Sequence, residues 1–284
     1  FENTKVIKEY KTLDDFDDID LSAVGENTIN DVTITVFDES EDHINALKDC
    51  FDFDMIKTLI AREDFSFVYD AMNGVNGPYA QKLFVEHLQA DQSSLQNCES
   101  KEDFGGPTSA HHGHADPNLT YAVDLVAAMG LDKSGKFVKS SKGKTPSFGA
   151  ASDGDGDRNM IMGSHFFVSP SDSLAIIAAN ADLIPYFQKK GGLKTVARSM
   201  PTSGAVDRVA KKKNFSCWEV PTGWKYFGNL MDSGVHGTAF EGKETYTPLI
   251  CGEESFGTGS DHAREKDSLW AILAWLQILA AKNV

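Results

Sequence analysis

The sequence predicts an α/β protein made of two layered units in tandem, and three features of the chain predict it. From residue 65 onward, short apolar runs of strand character alternate with longer helical patterns. A second round of the same alternation opens near Pro170. In both rounds a polar, glycine-bearing stretch follows directly on a strand run, which is where open parallel sheets gather their ligands.

Residues 1–31 read as the tail end of a preceding unit, with Asp14, Asp15, Asp17, Asp18 and Asp20 forming a solvated acidic linker. Val32 to Phe37 alternates β-branched residues and predicts a strand; helical patterns follow at 41–50 and 52–61. Phe65 to Asp70 is an apolar strand. The turn Asn73-Gly74-Val75-Asn76-Gly77-Pro78 connects it to a helix over 79–88, and its spacing matches no phosphate-loop signature. Residues 91–117 are polar and irregular, and His111, His112 and His114 read as exposed loop because no cysteine or fourth ligand lies near them. A helix is expected from Asp116 to about Met129, then a flexible lysine-rich excursion over 132–146. Phe148 to Ser152 is a short buried strand, and Asn159 to Met162 with Phe166 to Val168 forms a hairpin.

In the second round Ser171-Asp172-Ser173 caps a helix over 174–187, which Gly191-Gly192 ends. Strands are expected at 194–199, 215–220 and 249–251, a helix at 205–212, and a polar insertion at 234–248. The chain closes with an apolar helix over 268–281, whose Trp270, Leu273, Trp275, Leu276 and Leu279 serve the core.

A length of 284 residues suffices for about two ordinary domains. Hydrophobic content of 41% and charged content of 24% are those of a soluble globular chain, and a formal charge of -15 excludes a nucleic-acid or anionic-membrane binder built on a basic stripe. No signal peptide or bilayer-length apolar run is visible. Cys50, Cys98, Cys217 and Cys251 lie far apart, which points to reduced thiols in a cytosolic protein. Asn118-Leu119-Thr120 and Asn214-Phe215-Ser216 match the glycosylation pattern by chance.

Two loops carry the chemistry. In Ser152-Asp153-Gly154-Asp155-Gly156-Asp157-Arg158, three carboxylates at alternating positions repel one another once they leave bulk water, so a cation must repay that cost. Hard oxygen donors suit magnesium, calcium or manganese, the glycines let the backbone curl, and Arg158 sets a fixed cation alongside. An EF-hand is excluded because its twelfth position is Ser164 rather than a glutamate. A haloacid-dehalogenase-like nucleophile is disfavoured because Asp157 stands where that motif has threonine or valine. A structural cation or a solvated turn is the plainer alternative. In Gly252-Glu253-Glu254-Ser255-Phe256-Gly257, Glu253 can accept bonds from two sugar hydroxyls and Ser255 can donate or accept; the alternative is a turn capped by its own side chains.

Asp-Gly-Asp-Gly-Asp-Arg after a strand, then Pro221-Thr222-Gly223-Trp224-Lys225, then Gly-Glu-Glu-Ser-Phe-Gly, in that order, closely resembles the phosphoglucomutases of the α-D-phosphohexomutase superfamily. Supporting flanks are Phe104-Gly105-Gly106, Asp116 to Tyr121, Arg198 to Gly204 and Arg264 to Asp267, so the resemblance runs from about residue 32 to the end. It implies mixed sheets flanked by helices, with 1–39 the end of a first domain, 40–169 a metal-binding second domain and 170–284 a sugar-binding third domain. It also implies interconversion of glucose 1-phosphate and glucose 6-phosphate through a phosphoserine, with glucose 1,6-bisphosphate as intermediate and activator. By similarity Asp153, Asp155 and Asp157 hold one magnesium ion and Arg158 steadies phosphoryl oxygens. Glu253 and Ser255 grip the sugar, Thr222 and Gly223 line the cleft, and Lys266 assists proton transfer or binds phosphate. His262 and Arg264 are surface or supporting groups. The expected partner is a phosphosugar, with no nucleic acid and no membrane insertion, for a cytoplasmic monomer or weak dimer. The family's serine segment Thr-Ala-Ser-His-Asn-Pro does not occur in this chain, nor does the phosphate-gripping fourth domain. These residues alone are therefore expected not to turn over substrate. A non-catalytic relative serving as scaffold is the alternative.

Overall fold

A computed structural model describes residues 3–10, 18–29, 31–138, 144–235 and 244–283. Contacts divide the chain into two compact units, Phe1–Asp42 and His43–Val284. In the smaller unit β1 (Gly25–Ile29) pairs antiparallel with β2 (Val32–Val36), so part of the expected tail is a hairpin; Asp31, at φ 61°, closes the connection. Of the acidic cluster, Asp14, Asp15 and Asp17 lie outside the described residues.

The larger unit begins in α1 (Glu39–Cys50), which buries Ile44, Leu47 and Cys50, and continues with α2 (Phe53–Ile60). Asp52 caps α2 by accepting a bond from the Met55 amide. β3 (Phe67–Asp70) leads into α3 (Asn76–Ala80), which widens over Gln81–His87 into i→i+5 bonding, ended by the Leu88 amide on the Leu83 carbonyl at 3.0 Å. β4 (Leu95–Gln96) and α4 (Val123–Ala128) follow, α4 being shorter than expected because Asn118 turns the chain ahead of it by accepting from the Thr120 and Tyr121 amides. Next come β5 (Phe148–Ser152), β6 (Asn159–Gly163) and β7 (Phe166–Val168). The first sheet has the order β4-β3-β5-β6-β7, parallel at β4-β3-β5 and antiparallel beyond.

The second round opens with α5 (Pro170–Ala179), capped by Ser169 rather than by the following residues. Asn180 ends α5, its side chain bonding the Ile176 carbonyl at 2.8 Å, and α6 (Pro185–Lys189) restarts at a proline, so the single expected helix is two. The remaining elements are β8 (Thr195–Ser199), α7 (Ala205–Lys213), β9 (Ser216–Val220), α8 (Lys225–Met231), β10 (Leu249–Gly252), β11 (Thr258–Ser260) and α9 (Ser268–Lys282). The second sheet runs β11-β10-β8-β9, parallel except at β11.

Period-2 alternation assigns each strand residue to a layer. Phe67, Tyr69, Ala150 and Ile161 join one apolar cluster, whereas Val68, Ala151, Met160 and Met162 meet Leu125, Val126 and Met129 of α4 in another. In the second sheet Val196 and Ile250 face the first cluster, and Ala197, Leu249 and Cys251 meet Phe227, Leu230 and Met231 of α8. The first cluster thus belongs to both sheets. α9 runs through it, buried from Ser268 to Ala274 without interruption and packed against α2, β5, β6, α5 and β11. A helix buried on nearly every side must be apolar all round, which is why this segment shows little amphipathic periodicity.

α9 starts at Asp267, whose side chain accepts from the Trp270 amide at 3.0 Å, from His43 Nε2 at 2.7 Å and from His262 Nε2 at 3.1 Å. Burial alone would push this carboxyl up, but the bonds from the two imidazoles hold it well below the usual carboxylate range. His43 is raised: burial opposes its charge, and the bond to Asp267 more than offsets that.

Asp267→Ala should cost about 3 kcal/mol or more, because it removes a helix cap and leaves the buried His262 imidazole and the half-buried His43 imidazole facing a void, and Asp267→Asn should cost less. The sign of the pH effect follows from the two shifts. The depressed Asp267 adds stability above ~4, lost as pH falls through its folded value; the raised His43 adds stability fully present below ~6.5, lost as pH rises through its folded value. Urea unfolding should therefore show the gap between the native protein and Asp267→Asn shrinking as pH climbs from about 6 to about 9. A constant gap would contradict the charged pairing.

Candidate active site

Both sheets present their loops on the same terms. In the first, the register of Asp70 with Ala151 brings the turn after β3 beside the aspartate loop after β5, and the Val75 amide bonds the Gly154 carbonyl at 3.0 Å. In the second, Arg198 lies opposite both Gly252 and Glu219, so the segments following β8, β9 and β10 collect at one edge. The two edges meet. Arg158 and Gly257 form an antiparallel bridge, and the Phe256 carbonyl accepts from the Asn159 amide at 2.8 Å and from Asn159 Nδ2 at 3.0 Å.

The aspartate loop is built to converge. Ligand oxygens of Asp153, Asp155 and Asp157 all lie within 4.8 Å of one another. Asp153 is 5% exposed, and its Oδ1 accepts from the Arg158 amide at 2.9 Å. The two glycines serve different ends: Gly156 sits at φ 80°, whereas Gly154 makes room for the Phe104 ring, which a Cβ would approach to 2.7 Å. A cleft of about 440 Å³, walled by Asn73, Val75, Lys101 and Phe104, opens beside Asp155.

The charges are poorly neutralised by the protein alone. Burial, reinforced by Asp155 and Asp157, pushes the Asp153 carboxyl up to about 7. Arg158 stands 3.7 Å from Asp153 and 3.9 Å from Asp157, too far to hydrogen-bond, and 3.4 Å from Asp116. Asp157 Oδ1 and Arg158 Nε are buried without a hydrogen-bond partner. A hard divalent cation fits this donor set: three convergent carboxylates, one with an unmet oxygen, in a loop whose field disfavours their joint ionisation.

Lys266 connects this loop to the next one. Its Nζ lies 3.0 Å from Asp157 Oδ2 and 3.2 Å from Glu253 Oε1. Burial works against the ammonium, yet the bond to Asp157 and the charge of Glu253 raise its pKa above the ordinary lysine value, so it is protonated at neutral pH. Glu253 is 8% exposed, with its amide on the Gly257 carbonyl at 2.9 Å. Ser255 is exposed and donates to Glu254 Oε1, while Glu254 Oε2 accepts from Ser199 and Thr202. Thr222 is exposed and Gly223 half-buried at φ 125°, both directly after β9.

The structure therefore brings Asp153, Asp155, Asp157, Arg158, Lys266 and Glu253 into one connected group, with Ser255 on the adjoining turn and Thr222 and Gly223 at the same sheet edge. Asp116, Asn159, Asp267 and His43 support the group; Asp116 and Asp267 stand in the flanking segments named above without a role read for them, Asn159 and His43 stand in no motif, and the position of Asp267 ahead of a helical run could have marked it as a cap. His262 lies inside, its side chain 6% exposed and its ring stacked on Trp270 at 5.4 Å, whereas Arg264 is on the surface with Asp232. His111 is buried, 3% exposed, which corrects the expectation for that residue; His112 and His114 are exposed as expected, with His114 stacked on Tyr121.

Residues 41–165 match the family model described as phosphoglucomutase/phosphomannomutase, alpha/beta/alpha domain II, and residues 170–284 match that of domain III. The chain belongs to the phosphoglucomutase/phosphomannomutase family. It is 54% identical over 288 residues to "Probable phosphoglucomutase, cytoplasmic 1" of Arabidopsis thaliana and 56% identical over 288 residues to "Phosphoglucomutase, cytoplasmic 1" of Zea mays. Each alignment covers 100% of this chain and 45% of the relative, so the chain spans less than half the length of these family members. Among solved structures, the open form of pp63/parafusin, a phosphoglucomutase from Paramecium, matches with a TM-score of 0.76 and 48% identity over 93% of this chain and 43% of that one. A phosphomannomutase-like protein from Thermus thermophilus shares the family fold at a TM-score of 0.63 and 22% identity, covering 87% of this chain and 48% of that one. All four cysteines are free thiols, and among the described residues no helix is long and apolar enough to cross a membrane.

A divalent cation at about 100 times its Kd should stabilise the protein by ~2.7 kcal/mol, and Asp155→Asn should abolish that gain. Thermal unfolding with and without cation checks this; an equal cation-induced shift in both proteins would exclude the loop as the binding site.

Proposed function

We propose that this chain supplies the metal and sugar sites of a phosphoglucomutase that interconverts glucose 1-phosphate and glucose 6-phosphate. On this reading residues 1–39 end a first domain, 40–169 form the metal-binding domain and 170–284 the sugar-binding domain. The observation that carries it is Lys266, one ammonium in contact with a carboxylate of each loop. Two loops held by a shared charge lie side by side, so that a group can pass between them.

Magnesium on Asp153, Asp155 and Asp157 would supply Lewis acidity toward a phosphoryl oxygen. The chain's own residues then divide the remaining work. Arg158, with a guanidinium not committed to a close bidentate pair, steadies phosphoryl oxygens. Glu253 and Ser255 hold sugar hydroxyls, and Thr222 with Gly223 shapes the far wall. Protonated Lys266 binds phosphoryl oxygen or donates its proton to a leaving oxygen. Glucose 1,6-bisphosphate would be the intermediate and activator. The acidic charge of -15 favours a freely diffusing phosphosugar partner over nucleic acid, and the cytoplasmic relatives support the same location for a monomer or weak dimer.

The complete gene product should convert glucose 1-phosphate to glucose 6-phosphate, stop on chelation and recover with magnesium. The 284-residue chain alone, lacking the Thr-Ala-Ser-His-Asn-Pro segment, should not turn over. Glu253→Gln should lower kcat/KM about 10- to 100-fold, the loss of a charged hydrogen bond. Absence of turnover in the complete protein would instead favour a non-catalytic scaffold.

A further inference from the structure

We propose that Ser268 and Asn76 are positioning residues for the cation loop, acting together on the carbonyl of Gly156; the inference rests on the reading of Asp153, Asp155 and Asp157 as a cation site. That carbonyl accepts three donors: the Ser268 amide at 3.3 Å, Ser268 Oγ at 2.7 Å and Asn76 Nδ2 at 3.3 Å. Behind it stands a buried file of hydroxyls. Tyr69 donates to Ser152 Oγ at 2.8 Å, and Ser152 donates to Ser268 Oγ at 2.8 Å, which also accepts from Asn76 Nδ2 at 2.8 Å. Tyr69, Ser152 and Ser268 are 0% exposed and Asn76 is 7% exposed.

Proton inventory gives this file one direction. Each hydroxyl has a single proton, and a carbonyl has none, so Tyr69, Ser152 and Ser268 donate in sequence and end on Gly156. Buried polar groups that are all satisfied in only one arrangement rigidify what they touch. What they touch is the peptide between Asp155 and Asp157. Fixing the Gly156 carbonyl fixes how far apart those two carboxylates emerge, and the Asn76 side chain occupies the space that a Cβ on Gly156 would enter at 2.7 Å. The anchor also reaches the other loop, because Ser268 is two residues from Lys266, which meets Asp157 at 3.0 Å. Four elements, β3, α3, β5 and α9, therefore converge on one carbonyl.

The test is Mn²⁺ affinity of the full-length protein by electron paramagnetic resonance. Ser268→Ala and Asn76→Ala should each weaken binding about tenfold, the usual effect of removing a group that orients a metal ligand. Their double variant should lose less than the product, since they share an acceptor. Leu279→Ala, at the far end of α9, provides a control that lowers the melting temperature through packing and should leave Mn²⁺ affinity unchanged. The two test variants sit on different elements, so poor folding of one leaves the other informative. Native affinity in Ser268→Ala and Asn76→Ala, with binding abolished in Asp155→Asn, would overturn the inference and spare the cation reading. Equal weakening in Leu279→Ala would overturn it too, by reducing the effect to stability. Native affinity in Asp155→Asn would overturn the cation reading itself.

Discussion

The arrangement depends on one buried carboxylate. Asp267 caps α9 through the Trp270 amide and takes a bond from His43 and another from His262, so a single charge satisfies a helix terminus and two imidazoles. An ionised group at this depth is tolerated only when its lone pairs are filled, and here three donors fill them. Its sequence neighbours inherit that fixity. Lys266 on one side reaches both polar loops, and Ser268 on the other reaches the backbone of the aspartate loop. Three consecutive residues thus align a helix, the aspartate loop and the glutamate loop.

The same economy explains why the loops are joined directly rather than through side chains alone. Six ionisable groups gather at this edge, and flexible side chains would let like charges relax apart. The backbone bridge from Arg158 to Gly257, reinforced by Asn159 on the Phe256 carbonyl, removes that freedom, and Phe256 accepts a φ of 70° to make it. Charge that cannot disperse is charge available to a ligand.

Legibility in the sequence followed locality. β5 and the aspartate loop could be read because an apolar run and a tight carboxylate spacing are contiguous. β4 and β11, two and three residues long, have no periodicity of their own and exist only through their partners. β1 was hidden by its polar, exposed residues. The long helix after Pro170 failed where Asn180 turns its side chain onto the preceding turn, a choice that composition does not announce. The site divides in the same way. Its carboxylates and lysine stand in recognisable motifs, while the bond between His43 and Asp267 spans 224 positions and leaves no trace in either neighbourhood. His111 reads as loop from its glycine-rich surroundings, yet the fold buries it.

α9 has a consequence for how such chains can be rearranged. It belongs in sequence to the second α/β round but covers the first sheet as fully as its own, packing on β5 and β6 as well as β11. A crossover between 165 and 170, where the sequence looks divisible, would strand the first sheet with a raw apolar face and the helix with half a seat. Shuffling of these two modules is constrained by that loan: a foreign second module can replace this one only if it brings a terminal helix cut to fit a sheet it does not own.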